Sequence, residues 1–584
     1  MLTLALLLSS LVGVLAAPGP FVSVGDNVNN LGPRGTFPTV SVTAPAGSLI
    51  GLARNDVEVW TGIPFAEPPV GPLRLAPPVR ITKPLDNFDA TQQAPACPQL
   101  LATPEAWNIL SQVLNGAVAG PFNTGAVKQQ EDCLNINVYR PKDTASGANL
   151  PVLFWIFGGG FELGYNSQFD GSSLVANSVA LGKPFIFVAV NYRVGGFGFL
   201  PGKEIKAAGA ANLGHLDQRM GLEWTADNIA AFGGDPSKVT IWGESAGAIS
   251  VWNQMCLYDG NNKYKGKALF RGAIMNSGSV VPAQAVDSPK AQAIYDRVVS
   301  QTSCAGKPNT LNCLRALPLA EFMKATNSVP SILSFNSVAL SYPPRPDGKY
   351  LTQSTHILAR QGKYAAVPMI NGNQEDEGTL FSLFQANISG STDGITNYLQ
   401  ERFFTTADKA VVTSYVNTYS QYIWDGSPFG TGVFNEWYIG YKRLAAILGD
   451  MTFTLARRVH LTITKTTNPD VPAWSYLASY FFGTAIVGTF HGSDLNSVHF
   501  GVGLGQNGVK GIQSYYANFV YNLDPNNAEG GTSQASKLTF NWPQYNTNSR
   551  TMIKWNLLNW ETLTDNFRSK SYDVLNANIA AFAI

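Results

Sequence analysis

The chain has 584 residues, of which 45% are hydrophobic, 11% aromatic and only 14% charged, with a net charge of +1. That supports a large buried core, and it excludes a polyanion-binding surface, so nucleic acid is not an expected partner. No charge block, repeat or low-complexity linker divides the sequence, which favours one large domain with insertions over several small ones.

The chain opens MLTLALLLSSLVGVLAAPGP, with an apolar run from about Leu2 to Leu15 and small residues at Ala16 and Ala17. The run is too short to span a bilayer and reads as a secretory signal over residues 1–17, leaving 18–584 as the mature domain. No other run is long enough to cross a membrane. Secretion places the five cysteines in an oxidising compartment. Cys304 and Cys313 are close in sequence and could close a small loop, and Cys97 and Cys133 could close a larger one. Cys256 lies among apolar residues at helical spacing and reads as a buried thiol. No C-x-x-C or H-x-x-x-H spacing suggests a metal.

Between the first two cysteines lies TPEAWNILSQVLNGAV (103–118). Thr103 suits a helix cap, with Pro104 at the first helical position. Trp107, Leu110, Leu114 and Val118 fall on one stripe, with Ala106, Val113 and Ala117 beside it.

Three runs read as strands buried on both faces: PVLFWIF (151–157), PFIFVAVNYR (184–193) and KVTIWGES (238–245). Between the last two, residues 215–232 carry helical periodicity and end at a GGDP stop signal. This alternation predicts an α/β fold with a largely parallel sheet. In such sheets the chemistry gathers at the carboxyl ends of the strands.

Two glycine-rich turns sit there. Gly158-Gly159-Gly160-Phe161 follows the first strand, and three glycines in a row suit main-chain N–H groups that must approach a ligand closely. Gly243-Glu244-Ser245-Ala246-Gly247 follows a strand and opens a helix, the setting of a nucleophile elbow. There the N–H of Ala246 can face a developing oxyanion. A hydroxyl nucleophile needs a base. Where such an elbow is used, the chain order is nucleophile, acid, base. His215 precedes the serine, His356 precedes the acid candidates, and His460 reads as part of a helix. His491, in the glycine-punctuated loop VGTFHGSD, is the expected base, with His499 the runner-up. The acid is expected in NQEDEGTLF (373–381), where Glu375, Asp376 and Glu377 all qualify by position.

Together FGGGF, GESAG, DEGT and GTFHG resemble the type-B carboxylesterase/lipase family. So do EDCLNINVYRP, VNYRVGGFGFL, SYPPRPDG, GDMTFTLARR and TDNFR, which are similar to the Candida rugosa and Geotrichum lipase subgroup. The resemblance covers nearly the whole chain from about residue 36. It implies an α/β-hydrolase fold and a secreted, cofactor-free serine ester hydrolase acting on an ester or lipid, either a lipase for acylglycerols or sterol esters or a soluble carboxylesterase for shorter esters; the third alternative is a non-catalytic adhesion relative, which would have lost the nucleophile that is present here. It implies Ser245 as nucleophile, His491 as base and acid, Glu377 as orienting carboxylate, and Gly159, Gly160 and Ala246 as oxyanion donors. It implies disulfides Cys97–Cys133 and Cys304–Cys313, and a lid within 98–132 that makes transient contact with a lipid surface. Phe381, Phe384, Phe429 and Trp107 are the expected acyl-side lining. Asn387, in an N-I-S sequon, is the expected glycosylation site.

Overall fold

A computed structural model describes residues 37–100, 103–114, 127–499, 506–526, 540–557 and 560–584. The expected signal segment, and residues 101–102 and 115–126 of the expected lid, lie outside them.

A 12-stranded sheet dominates the described residues. Its strands are β1 (Leu52–Arg54), β2 (Val57–Pro64), β3 (Asn135–Pro141), β4 (Leu150–Ile156), β5 (Ile186–Val190) and β6 (Gly234–Glu244). There follow β7 (Gly272–Asn276), β8 (Met369–Gln374), β9 (Ala473–Trp474), β10 (Tyr476–Ser479), β11 (Thr551–Asn556) and β12 (Trp560–Thr564). Their order across the sheet is β12-β11-β10-β8-β7-β6-β4-β5-β3-β2-β1, with β9 also on β8. From β5 through β4, β6, β7, β8 and β10 to β11 every pairing is parallel. Both margins are antiparallel. The three runs expected as strands are β4, β5 and β6, and they are apolar because both faces are covered.

The central strands stop nearly level. Gly243 of β6 pairs with Ile156 of β4 and Met275 of β7, and Asn276 pairs with Glu244 and Gly372. The turns that leave these strands therefore converge on one edge. Trp155 and Trp242, on adjacent strands, pack 4.4 Å apart edge to face. Each such ring removes a large apolar area from water and stabilises the sheet beneath the site.

β8 reads MINGNQ and is fully buried despite its polar side chains. Each amide finds a partner. Asn371 donates to Met275 O and Gly278 O, and Asn373 accepts from Arg457 Nε at 2.7 Å. Arg457 belongs to α5 (Leu455–Thr467), which continues α4 (Tyr441–Gly449) through a π-helical turn at Asp450–Thr454. Arg457 and Arg458 both donate to Asp565. Burial alone would raise the Asp565 carboxyl, but the two guanidinium groups hold it at about 2. Buried charge is retained here because it is fully paired.

The expected helix at 215–232 is α2 (Leu213–Asn228), finished by a 3-10 turn at Ile229–Phe232. α3 (Ala246–Gly260) follows β6 directly, although Leu257, Tyr258 and Asp259 leave helical geometry. The disulfides join Cys97 to Cys133 and Cys304 to Cys313, and Cys256 is a buried free thiol. Within the first loop, α1 (Pro104–Leu114) is capped by Thr103, whose hydroxyl accepts from the Ala106 N–H. Ala106, Leu110 and Val113 are buried against the core, and Trp107 is half-buried. The observed buried stripe therefore runs through Ala106, Leu110 and Val113, one residue round from the stripe centred on Trp107.

Candidate active site

Ser245 sits between the last residue of β6 and the first of α3, at φ 57° and ψ −125°. A side-chain-bearing residue seldom takes that backbone, and holding it costs on the order of 1–3 kcal/mol. The surroundings enforce it. The Ser245 N–H donates to Asn276 O at 2.9 Å, and Ser245 O accepts from the Ile249 N–H at 3.0 Å. The flanking glycines are required by contact distance. A Cβ on Gly243 would lie 2.3 Å from Gly247 C, and one on Gly247 would lie 2.1 Å from Ile156 O. The elbow is thus clamped between β4 and the start of its own helix.

The glycine turn after β4 packs on that elbow, where a Cβ on Gly158 would meet Ser245 Cβ at 2.9 Å. Gly159 and Gly160 take φ values of 107° and 65°, open to glycine without strain. Gly159 O accepts from the N–H groups of Glu162 and Leu163, which fixes the turn. The N–H groups of Gly159, Gly160 and Ala246 donate to no protein acceptor among the described residues. The buried Glu162 carboxyl, pushed up to about 8 by burial, accepts from the Ile332 N–H at 2.7 Å. Ile332 in turn packs against Gly160.

Glu377 lies three residues beyond β8. Its Oε1 accepts from the Gln374 N–H at 2.7 Å, and its Oε2 meets His491 Nδ1 at 2.5 Å. This pairing places the proton on Nδ1 and leaves Nε2 as the acceptor. Nε2 makes no hydrogen bond to the described residues, and Glu244 Oε1 lies 3.3 Å from it. The ring is held between Phe453 at 4.4 Å and Phe381 at 5.0 Å. Burial alone would lower His491, but the carboxylates of Glu377 and then Glu244 hold it above the ordinary imidazole value. Burial pushes Glu244 up to about 8 and Asp494 up to about 6. Glu244 and His491 are close enough to titrate as a pair around one proton.

Asp376 ties these loops together. It accepts from Ser427 Oγ, the Phe429 N–H and the Thr489 N–H, each at 2.9 Å. Its own N–H donates to Thr489 O, two residues before His491. The acid and base loops are therefore cross-linked by the neighbour of Glu377.

Ser245 opens on two cavities. The first counts about 710 Å³ with its mouth and is lined by Gly159, Gly160, Glu244, Phe381, His491 and mostly apolar neighbours, with Gln168 and Asn496 among them. The second, about 610 Å³ counted likewise, shares Gly160, Ser245 and Ile332 with the first and extends past Ala246 and Ile249. Of the four expected lining residues, Phe381 faces this space. Phe429 does not: its N–H is held by Asp376, and its ring lies under Arg568 at 4.3 Å, facing a separate surface cleft with Tyr480 and Phe482. Phe384 is half-buried beside Gln385, and Trp107 rests with α1 on the core; neither lines the two cavities. Their places are taken by Ile332, Leu333, Phe490 and Leu495. The runner-up His499 is boxed by Trp155, Phe169, Phe187 and Trp242, and burial lowers it to about 3. His215, His356 and His460 pair with Gln218, Ser354 and Asn371, and none of the three lines either cavity.

A family model described as the carboxylesterase family matches residues 38–574. The chain belongs to the carboxylesterase family. This carboxylesterase is a carboxylic-ester hydrolase of the α/β-hydrolase fold. Among its relatives, a secreted triacylglycerol lipase of Gibberella zeae is 53% identical over 546 residues, covering 93% of this chain and 91% of its own. Lipase 4 of Diutina rugosa is 40% identical over 586 residues, covering 100% of each chain. The resemblance read from the motifs, to the Diutina (Candida) rugosa lipases, therefore holds over the full length. The crystal structure of Aspergillus niger EstA is similar in fold, with a TM-score of 0.76 at 23% identity, covering 94% of this chain and 99% of that one.

Proposed function

We propose that this carboxylesterase is a secreted lipase that hydrolyses acylglycerols through Ser245, His491 and Glu377. His491 Nε2 takes the Ser245 proton as Oγ attacks the ester carbonyl. The oxyanion forms against the N–H groups of Gly159, Gly160 and Ala246. The alcohol leaves with the proton from His491, and a water deprotonated by the same nitrogen releases the acid. Glu377 holds the imidazole tautomer and stabilises the imidazolium.

One observation carries this reading. A serine on a strained strand–helix turn shares a cavity with a histidine whose far nitrogen is bonded to a buried carboxylate. The lipase reading adds the names of the relatives and the apolar second cavity. Secretion rests on those names together with the signal segment over 1–17. Sterol esters share the same carboxylic-ester chemistry and are a second substrate class. Asn387 is exposed and is proposed to carry a glycan. The segment 98–132, with α1, is proposed as a lid that contacts the lipid surface. The burial of Ala106, Leu110 and Val113 favours the alternative of a soluble carboxylesterase whose α1 stays in place.

Labelling with an organophosphate reactive toward activated serines tests the chemistry. Wild type is expected to label at Ser245 and Ser245→Ala to be inert and folded; turnover by the alanine variant would reject the assignment. Hydrolysis of a short soluble ester with and without triglyceride emulsion separates lipase from esterase.

A further inference from the structure

The turn that carries the proposed oxyanion donors Gly159 and Gly160 has one carboxyl group, Glu162, and this residue joins three segments. Its N–H donates to Gly159 O at 3.0 Å, within the turn. Its carbonyl accepts from the Leu100 N–H at 2.8 Å, at the stem of the loop closed by Cys97 and Cys133. Gln99 binds stem and turn a second time, since the Gly164 N–H donates to its Oε1 at 2.6 Å and its Nε2 donates to Gly164 O at 3.1 Å. The Glu162 side chain reaches the third segment, where Oε2 accepts from the Ile332 N–H. Ile332 lines both cavities at Ser245, and a Cβ on Gly160 would lie 2.8 Å from its Cδ1. The carboxyl therefore fixes the residue on which Gly160 rests.

The surroundings decide its charge. Glu162 is fully buried, its Oε1 makes no hydrogen bond to the described residues, and no cation among them pairs with it. Turn and stem bring no other titratable group to it. From the third segment it is faced by Tyr342, whose hydroxyl donates to Thr326 O. His215 meets the neighbouring Phe161 edge to face and is neutral, since burial lowers it to about 4.

Resting on the ester-hydrolase reading above, we propose that Glu162 is a positioning residue that works only as a neutral acid, seating Ile332 against the oxyanion turn, and that its ionisation shuts turnover down from the alkaline side. Two effects act in the same direction. A carboxylate here has a single peptide N–H as partner and gains by reaching water, which withdraws it from Ile332. While it stays, its charge sits two residues from Gly160, where the reaction develops negative charge of its own. Burial keeps the acid protonated up to about 8, so the neutral form is the one present at neutral pH. Turnover thus rises with pH as His491 loses its proton and falls again as Glu162 loses its own. Glu244 titrates in the same range beside His491, so variants at 162, and not the wild-type profile alone, decide the matter.

The test measures kcat and KM of the full chain on p-nitrophenyl butyrate from pH 5.5 to 9.5, for wild type, E162Q and E162L, with a thermal melt of each. Glutamine keeps an oxygen for the Ile332 N–H and cannot ionise. E162Q is expected within about threefold of wild type at pH 6.5 and to lose the alkaline fall in kcat. E162L has no acceptor and is expected to lose about 10–100-fold in kcat at every pH with KM little changed, less than outright removal of an oxyanion donor costs. An alkaline fall in E162Q equal to that of wild type, a wild type flat to pH 9.5, or a folded E162L with wild-type kcat overturns the proposal. Should E162L fail to fold, the profile of E162Q decides alone. Failure of the hydrolase reading itself would appear differently, as wild type inactive on every ester at every pH and unlabelled by organophosphate.

Discussion

Glu377→Gln is the sharpest probe of the proposed mechanism. The Gln374 N–H already donates to Glu377 Oε1 at 2.7 Å, so an amide in this place must keep its carbonyl there. Its NH2 group then occupies the position of Oε2 and faces His491 Nδ1, 2.5 Å away in the wild type. Nδ1 must become an acceptor, which moves the ring proton to Nε2, the nitrogen that should take the serine proton. The imidazolium formed in the transition state also loses its counter-charge. Unit charges about 4 Å apart at an effective dielectric near 20 interact by about 4 kcal/mol, roughly a thousandfold in rate. With the tautomer penalty the expected loss in kcat is about ten-thousandfold. The assay is initial-rate hydrolysis of a soluble p-nitrophenyl ester across pH. His491 acts when deprotonated, and Glu377 is the first of the charges that hold it up. Removing that charge lowers its pKa, so the ascending limb of kcat/KM moves toward acid. A folded variant within about tenfold of wild type, or a limb that moves toward base, would refute the reasoning.

Gly159→Ala places a Cβ 2.2 Å from Leu163 O at a φ of 107°, so the turn must shift and one oxyanion donor is lost; kcat is expected to fall by about 10²–10³ in steady-state assays. Replacing Cys97 and Cys133 together by serine opens a loop of sequence separation 36, and denaturant titration is expected to show a loss of about 4 kcal/mol. Asp565 is held at about 2 in the fold against a reference of 3.8, so its contribution of about 2 kcal/mol is present above 3.8 and lost as pH falls through 2. Asp565→Asn should therefore flatten that part of the acid unfolding curve while destabilising the protein at neutral pH. Leu110→Ala is expected to cost about 2–5 kcal/mol if α1 stays packed; a cost below about 1 kcal/mol with altered interfacial activity would mark α1 as the moving part of a lid.

The sequence shows the frame of the site more readily than its walls. β4, β5 and β6 are legible because burial on both faces leaves them apolar, and the glycines mark where backbone must touch backbone. The acid strand is harder. Only Met369 and Ile370 of β8 are apolar; the strand then carries Asn371 and Asn373 into the core, where Arg457, Thr454 and neighbouring carbonyls pair with them, and Gln374, whose Oε1 accepts from Ser493 Oγ. No periodicity separates a buried, bonded amide from an exposed one. For the same reason nothing in the sequence marks the bonding roles of Glu244, Asp494 and Asn276, and Asp376 is legible there only as one of three candidate acids. Their roles come from partners remote in sequence, such as Asp494 with Asn276 and Tyr476. The direction of Phe429 carries no sequence signal either: its ring lies under Arg568, which is far along the chain.

The site is assembled from two separately braced pieces. The elbow and the glycine turn form one, locked by contacts that admit no Cβ. Glu377 and His491 form the other, cross-linked by Asp376 and Thr489. Across the seam run Glu244 to His491 at 3.3 Å and the Asn276 amide to Asp494 at 2.9 Å. Alignment of nucleophile and base is then a property of a joint, and a joint can loosen while both pieces stay folded. The temperature at which this enzyme stops working is accordingly expected below the one at which it melts. Asn276→Ala should widen that interval, and parallel activity and melting curves would measure it.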